Sequence, residues 1–297
     1  MRKIIFGTDW GTDCDDAVAL RLLTNAHKKG IIELSAIVIN NCRDCSVQSL
    51  DGFLSLDKME KLPIGIDFDA TDYEGPFYYQ ERLVPFAKNY KSNADAKSAV
   101  RVYRETLANS DTKVEIIEVG FLQALAALIE SPADDISPLT GEELVREKVK
   151  RIWSMAGRWD IDGGFEYNFA NNMRARMGAY TVLEKCPVPI TFLGWEVGAD
   201  VITGGKLDNS DHLYNVLLDY KHPNGRMSWD PMLTLLAITG DNEKAGYATV
   251  YGKGSIEIES GKNHFEKDEK GIHSFVVKTK ENSYYENEIN RIISNGF

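Results

Sequence analysis

Through the first two thirds of the chain, short unbroken apolar runs rich in β-branched residues alternate with longer stretches whose apolar residues recur every three to four positions. The runs span residues 3–8, 32–40, 62–67, 114–120, 151–157 and 188–194. A run without polar alternation fits a strand covered on both faces, as in a parallel sheet between helical layers. The helical patterns between them, at 16–29, 47–59, 98–109, 122–130, 142–149 and 171–184, supply those layers, and most stop at polar residues, Gly or Pro. Repeated strand, helix, strand order predicts right-handed crossovers and an α/β fold with a doubly wound, mostly parallel sheet flanked by helices.

After residue 194 the pattern loosens. Helices are predicted at 211–219 and 231–239, either side of the polar loop 221–229. Residues 248–280 alternate like a small C-terminal antiparallel hairpin, and a last helix covers 285–294. No Pro/Ser-rich linker divides the chain, so residues 1–297 read as a single domain. Residues 70–96, with Tyr73, Phe77, Tyr78 and Tyr79, lack periodicity and read either as a lid over a site or as a surface loop.

Composition narrows the partners. The 297 residues are 43% hydrophobic and 27% charged, which is ordinary for a globular chain. A formal net charge of -11 without a Lys/Arg-rich block argues against nucleic-acid and anionic-membrane surfaces and favours small molecules or cations. No apolar run approaches the roughly 18 residues of a membrane span. The basic start at Arg2 and Lys3 meets Asp9 and Asp13 before a signal-peptide core can form, so a soluble cytoplasmic protein is expected. Cys42 and Cys45 form one CxxC with no second pair and no His at zinc-finger spacing; with Cys14 and Cys186 they read as free thiols.

The chemistry concentrates where the first strand runs into Asp9-Trp10-Gly11-Thr12-Asp13-Cys14-Asp15-Asp16. Four carboxylates in eight residues repel one another unless a cation neutralises them or some cap the following helix, a role open to Asp13 and Asp15. Ligands in open α/β sheets bind at the carboxyl ends of strands, and this turn lies at one. Hard oxygen donors favour Ca²⁺ or Mg²⁺ over zinc. The spacing fits neither an EF-hand, which needs Gly at position 6 and an acid at 12, nor a phosphatase Asp-x-Asp, since Gly11 stands two residues after Asp9. A Gly-Lys-Ser/Thr phosphate loop is also missing.

Gly7-Thr8-Asp9-Trp10-Gly11-Thr12-Asp13-Cys14-Asp15-Asp16-Ala17 resembles the N-terminal signature of the nucleoside hydrolases, the inosine/uridine-preferring N-ribohydrolases, in a form two residues longer and with Gly7 at the first family aspartate. Four further segments follow in family order: Glu118-Val119-Gly120-Phe121-Leu122, Ile152-Trp153-Ser154-Met155-Ala156-Gly157, Phe165-Glu166-Tyr167-Asn168-Phe169 and Ser228-Trp229-Asp230-Pro231. In the last of these, Trp229 replaces the family His.

The resemblance implies a Ca²⁺-dependent hydrolase that cleaves ribonucleosides to free base and ribose. It implies that Asp9, Asp16, Asp230 and the backbone carbonyl of Val119 hold the ion. Asp9 would also take the proton of the attacking water. Asp15, Glu166 and Asn168 would bind ribose hydroxyls, Asn41 and Met155 join the substrate contacts, and Trp229 would stack on the base. A homodimer or homotetramer is the family's usual assembly. Leaving-group activation stays open between His222, Tyr78, Tyr79, Arg226 and no residue at all. Asp160 or Asp162 could replace a family Asn in a loop that is shorter here. The other readings are a non-catalytic ribose or nucleoside binder, or a hydrolase of a non-standard riboside.

Overall fold

The computed structural model describes residues 1–297 apart from Glu74 and Phe77, so Phe77 of the aromatic stretch lies outside the described residues. The chain begins β1 (Arg2–Thr8), α1 (Asp15–Lys28), β2 (Ile32–Ile39), α2 (Ser46–Leu56), β3 (Ile64–Ile66), α3 (Gln80–Leu83), β4 (Lys97–Ser98), α4 (Ala99–Ala108) and β5 (Val114–Glu118). It continues α5 (Gln123–Glu130), α6 (Gly141–Lys148), β6 (Val149–Met155), α7 (Tyr167–Ala170), α8 (Met173–Lys185), β7 (Ile190–Leu193) and α9 (Trp195–Gly198). The last third holds β8 (Ile202–Thr203), α10 (His212–Asp219), β9 (Arg226–Met227), α11 (Trp229–Thr239), β10 (Tyr247–Ile256), β11 (Asn263–Lys267), β12 (His273–Lys278) and α12 (Asn282–Asn295).

Ten strands form one sheet in the order β11-β10-β12-β7-β6-β5-β1-β2-β3-β4, parallel from β12 to β4. The alternation along β1 explains the two layers: Ile4 and Phe6 join a core with α1, α2, α10, α11 and α12, while Ile5 joins one with α4, α5, α6 and α8. The expected C-terminal hairpin forms between β10 and β11, and β12 then pairs antiparallel with β10 and parallel with β7. The hairpin thus widens the main sheet. A separate antiparallel pair, β8 with β9, sits apart from it.

From β1 the chain builds outward through β2, β3 and β4, then returns to place β5 on the other side of β1. This reversal opens a crevice beyond the carboxyl ends of β1 and β5. Part of the 70–96 segment is pinned down, because the Asp51 carboxylate of α2 accepts hydrogen bonds from the backbone N–H groups of Lys88 (2.7 Å) and Asn89 (2.6 Å). Among the described residues no helix is long and apolar enough to cross a membrane.

Candidate active site

The turn after β1 is shaped by its inserted residues. Trp10 is fully buried, donates its indole N–H to Ser49 Oγ (2.9 Å) and packs edge-on against Phe53 and Tyr79. Gly11 has φ +99°, a left-handed conformation, and a Cβ there would strike the Gln80 amide. The segment after β3 grips this turn: Tyr79 donates to the Asp13 carbonyl (2.8 Å), Tyr73 to the Thr12 carbonyl (3.3 Å) and Gln80 to the Trp10 carbonyl (3.1 Å). That supports the lid reading for its first part.

α1 and α11 then bring two helix N-termini together. Asp15 and Asp16 stand in the first turn of α1 and Asp230 in that of α11, and one carboxylate oxygen of each lies within 4.8 Å of the other two. The Asp230 N–H donates to Asp15 Oδ2 (3.2 Å), joining positions 215 residues apart. Thr8 donates to Asp16 Oδ1, while Asp16 Oδ2 is buried with no hydrogen-bond partner among the described residues. Asp9 accepts from Thr12 (2.5 Å). Burial, reinforced by mutual repulsion, pushes Asp15, Asp16 and Asp230 well above the carboxylate range, and burial raises Asp9 to about 6.

These groups line a cavity of about 280 Å³. Of the residues singled out in the sequence, Asp9, Asp15, Asp16, Val119, Met155, Glu166, Asn168, Trp229 and Asp230 all face it. Asn41 does not; it is buried at the end of β2 with both amide atoms unpartnered among the described residues. Glu166 caps α7, its carboxylate receiving the N–H groups of Asn168 (2.7 Å) and Gly157 (2.8 Å), and burial raises it to about 7. Asn168 donates to the carbonyls of Val119 (2.8 Å) and Met155 (2.9 Å), which fixes both carbonyls and leaves Asn168 Oδ1 free of these bonds.

Trp229 differs from expectation in detail. Its ring stacks on Trp195 (centroids 6.5 Å apart) and its indole N–H is spent on the Trp195 carbonyl (2.7 Å). His222 stacks on Tyr220 and does not line the cavity. Neither do Asp160 and Asp162, which pair with Arg158 (2.9 Å) and His264 (2.7 Å). Tyr78 packs edge-on against Tyr220 outside it.

Two arrangements were not read from sequence, although Arg226 itself was named there. The first is a carboxylate exchange between strands: Gly7 on β1 is in register with Glu118 on β5, and a Cβ at Gly7 would meet the Glu118 carboxyl at 2.1 Å. Glu118 therefore fills the space that an aspartate at position 7 would occupy. It is buried, held by Asn40 (2.7 Å) and Tyr103 (3.1 Å), and pushed up to about 8 by that burial. The second is Arg226 on β9, which forks onto Asp13 through Nε (3.0 Å) and Nη2 (2.5 Å) inside the cavity. A hydrophobicity pattern carries no trace of a pair 213 residues apart.

No protein-family model matches the chain, and no curated protein sequence does. Solved structures do match over nearly its whole length. An inosine-uridine preferring nucleoside hydrolase from Bacillus anthracis superposes with a TM-score of 0.69 at 16% identity, covering 99% of each chain. The chain has the nucleoside hydrolase fold. A purine-preferring ribonucleoside hydrolase from Gardnerella vaginalis gives 0.72 at 15% identity over 98% of each chain. The type III effector protein XopQ, solved with adenosine diphosphate ribose, gives 0.71 at 14% identity over 98% of this chain and 93% of its own. The fold thus matches the expectation from the sequence motifs, and the acidic cavity lies where α/β sheets of this kind bind ligands.

Proposed function

We propose that this nucleoside hydrolase-fold chain is a Ca²⁺-dependent ribohydrolase that cleaves the N-glycosidic bond of ribonucleosides to free base and ribose. The observation that carries the reading is the trio of buried carboxylates with an unpartnered oxygen at Asp16, sited in the crevice of a fold shared with two ribonucleoside hydrolases. Uncompensated, three buried anions are costly; a hard divalent cation with oxygen ligands fits that donor set. Asp9, Asp16, Asp230 and the Val119 carbonyl would hold it, with Asp15 near enough to join. When bound, calcium acidifies water and orients sugar hydroxyls.

The chain's own residues divide the remaining work. Asp9, which lines the cavity, would accept the water's proton. Asp15, Glu166 and Oδ1 of Asn168 would receive ribose hydroxyls. Met155, Trp229 and the neighbouring rings of Tyr73 and Tyr220 would contact the base. The free thiols of Cys14, Cys42, Cys45 and Cys186 suit the reducing cytoplasm. A panel of nucleosides with a reducing-sugar assay tests the proposal: ribose release should vanish with a chelator and return with Ca²⁺. A second reading, binding without turnover, draws support from the effector XopQ, solved with a ribosyl ligand. Saturable nucleoside binding with no ribose released would select it.

A further inference from the structure

The cavity is lined by five aspartates and Glu166, and Arg226 is the one cation among its described lining residues. Its guanidinium is fixed on three sides. Asp13 takes Nε and Nη2, the Trp229 ring centre lies 5.3 Å from Cζ, and the Tyr220 ring centre lies 5.7 Å from it. Burial alone would weaken its hold on the proton, but the hydrogen bonds and charge of Asp13 keep it above the usual arginine range. The remaining nitrogen, Nη1, has among the described residues only the Met227 thioether at 3.6 Å, a weak acceptor. Strand pairing sets this edge in place: Arg226 is in register with Thr203 across the β8–β9 ribbon, straight after Gly225 at φ +106°.

We infer that Arg226 stabilises the departing base through Nη1 as that base takes up the electrons of the breaking bond. This rests on the ribohydrolase reading and adds the group that reading lacks. The histidine position is filled by Trp229, whose N–H is already spent, and an arginine does not release its proton at physiological pH. In the step, water oxygen bonds to C1′, its proton passes to Asp9, and the C1′–N bond breaks with both electrons staying on the base. The anionic base, held by the Arg226 charge, is then protonated from Asp9 or solvent, so the products are ribose and neutral base. Keto bases of the uracil and hypoxanthine type spread that charge onto an exocyclic oxygen that a guanidinium N–H can meet. Amino bases such as adenine and cytosine depart best when protonated first and gain less.

The test compares uridine and inosine with p-nitrophenyl β-D-riboside, whose phenolate leaves without help. Removing one preorganised donor to a developing anion costs about 10²–10³-fold in rate. Arg226→Gln should lose that much kcat on uridine and inosine and at most about tenfold on the nitrophenyl riboside. Arg226→Lys, which keeps a cation, should recover part of the nucleoside rate. Circular dichroism and a thermal melt establish that both variants fold. Equal losses on all substrates would make Arg226 a tether for Asp13 only and overturn the proposal, as would a faster wild-type rate on cytidine and adenosine than on uridine and inosine. Wild-type cleavage of the nitrophenyl riboside without any nucleoside cleavage defeats the ribonucleoside reading and this proposal with it. Inertness toward every riboside defeats both readings.

Discussion

At its first turn α1 carries Asp15 and Asp16 into contact with Asp230, where among the described residues no basic side chain forms an ion pair with any of the three carboxylates. Six residues further along the same helix, Arg21 is buried against Asp57 (2.9 Å) and Asp211 (2.9 Å), with His212 (3.0 Å) and Thr24 also on the Asp57 carboxylate. Burial raises the first group. Burial also opposes the charge on Asp57, yet hydrogen bonding from His212 and the Arg21 charge together draw it below its ordinary value. One helix therefore holds a closed ionic network and an open one. Closed networks hold elements together; a buried cluster left short of positive charge persists where a ligand supplies it.

The contrast is broken most severely at Asp9. Asp9→Asn removes the proton acceptor and should lower kcat by about 10²–10⁴-fold while the thermal midpoint stays level or rises, measured by ribose release and calorimetry. Asp57→Ala should do the reverse. It strands Arg21 with Asp211 as its remaining carboxylate, costs about 3 kcal/mol in denaturant unfolding, and leaves kcat of the folded fraction unchanged.

Calcium sharpens the difference at a smaller scale. At a hundredfold excess over Kd it should stabilise the wild type by about 2.7 kcal/mol and leave Asp16→Asn nearly unmoved in thermal melts. With a chelator present, the two clusters should respond to pH with opposite sign. Asp15, Asp16 and Asp230 have folded-state pKa values raised above 3.8, so their contribution is full below that pH and lost as pH rises through the folded values. Asp57 is lowered, so its contribution is full above 3.8 and lost as pH falls through its folded value. Chelated Asp16→Asn should therefore gain on the wild type as pH rises, whereas the deficit of Asp57→Asn should shrink toward acid.

The smallest effects belong to the aromatic wall. Trp229→Ala should weaken nucleoside binding by about ten- to a hundredfold, the worth of one stacked base. Trp229→Phe should lose less, since a ring remains and the indole N–H serves Trp195. His222→Ala should keep a normal rate; a loss above tenfold would bring His222 back as a proton donor.

What could be read in advance follows from locality. β1, β2, β5, β6 and β7 announce themselves because strands buried on both faces are unbroken apolar runs. β4, β8 and β9 have two residues each, too few for any period. The hairpin residues were visible, but not that Phe275 of β12 would pair with Phe192 of β7, because partner choice is decided at long range. In the site, Asp9, Asp15 and Asp16 cluster in sequence, and Asp230 was reached only through a motif. Glu118 escaped, and Arg226 was named without its Asp13 partner, because each acts opposite a residue on another strand or loop, Gly7 and Asp13.

The joining of Asp15 to Asp230 also sets a timetable for the nascent chain. A ribosome adding about 5–20 residues per second needs on the order of ten to forty seconds to travel the 215 positions between them. During that interval β1 and its neighbours can pair, but the apolar face of α1 that α11 and α12 cover stays bare. Synthesis thus exposes a sticky half-layer beside the seven main-sheet strands β1 to β7, and the step that hides it is the same one that completes the acidic pocket. Chaperone dependence and acquisition of activity should consequently end together, late in translation.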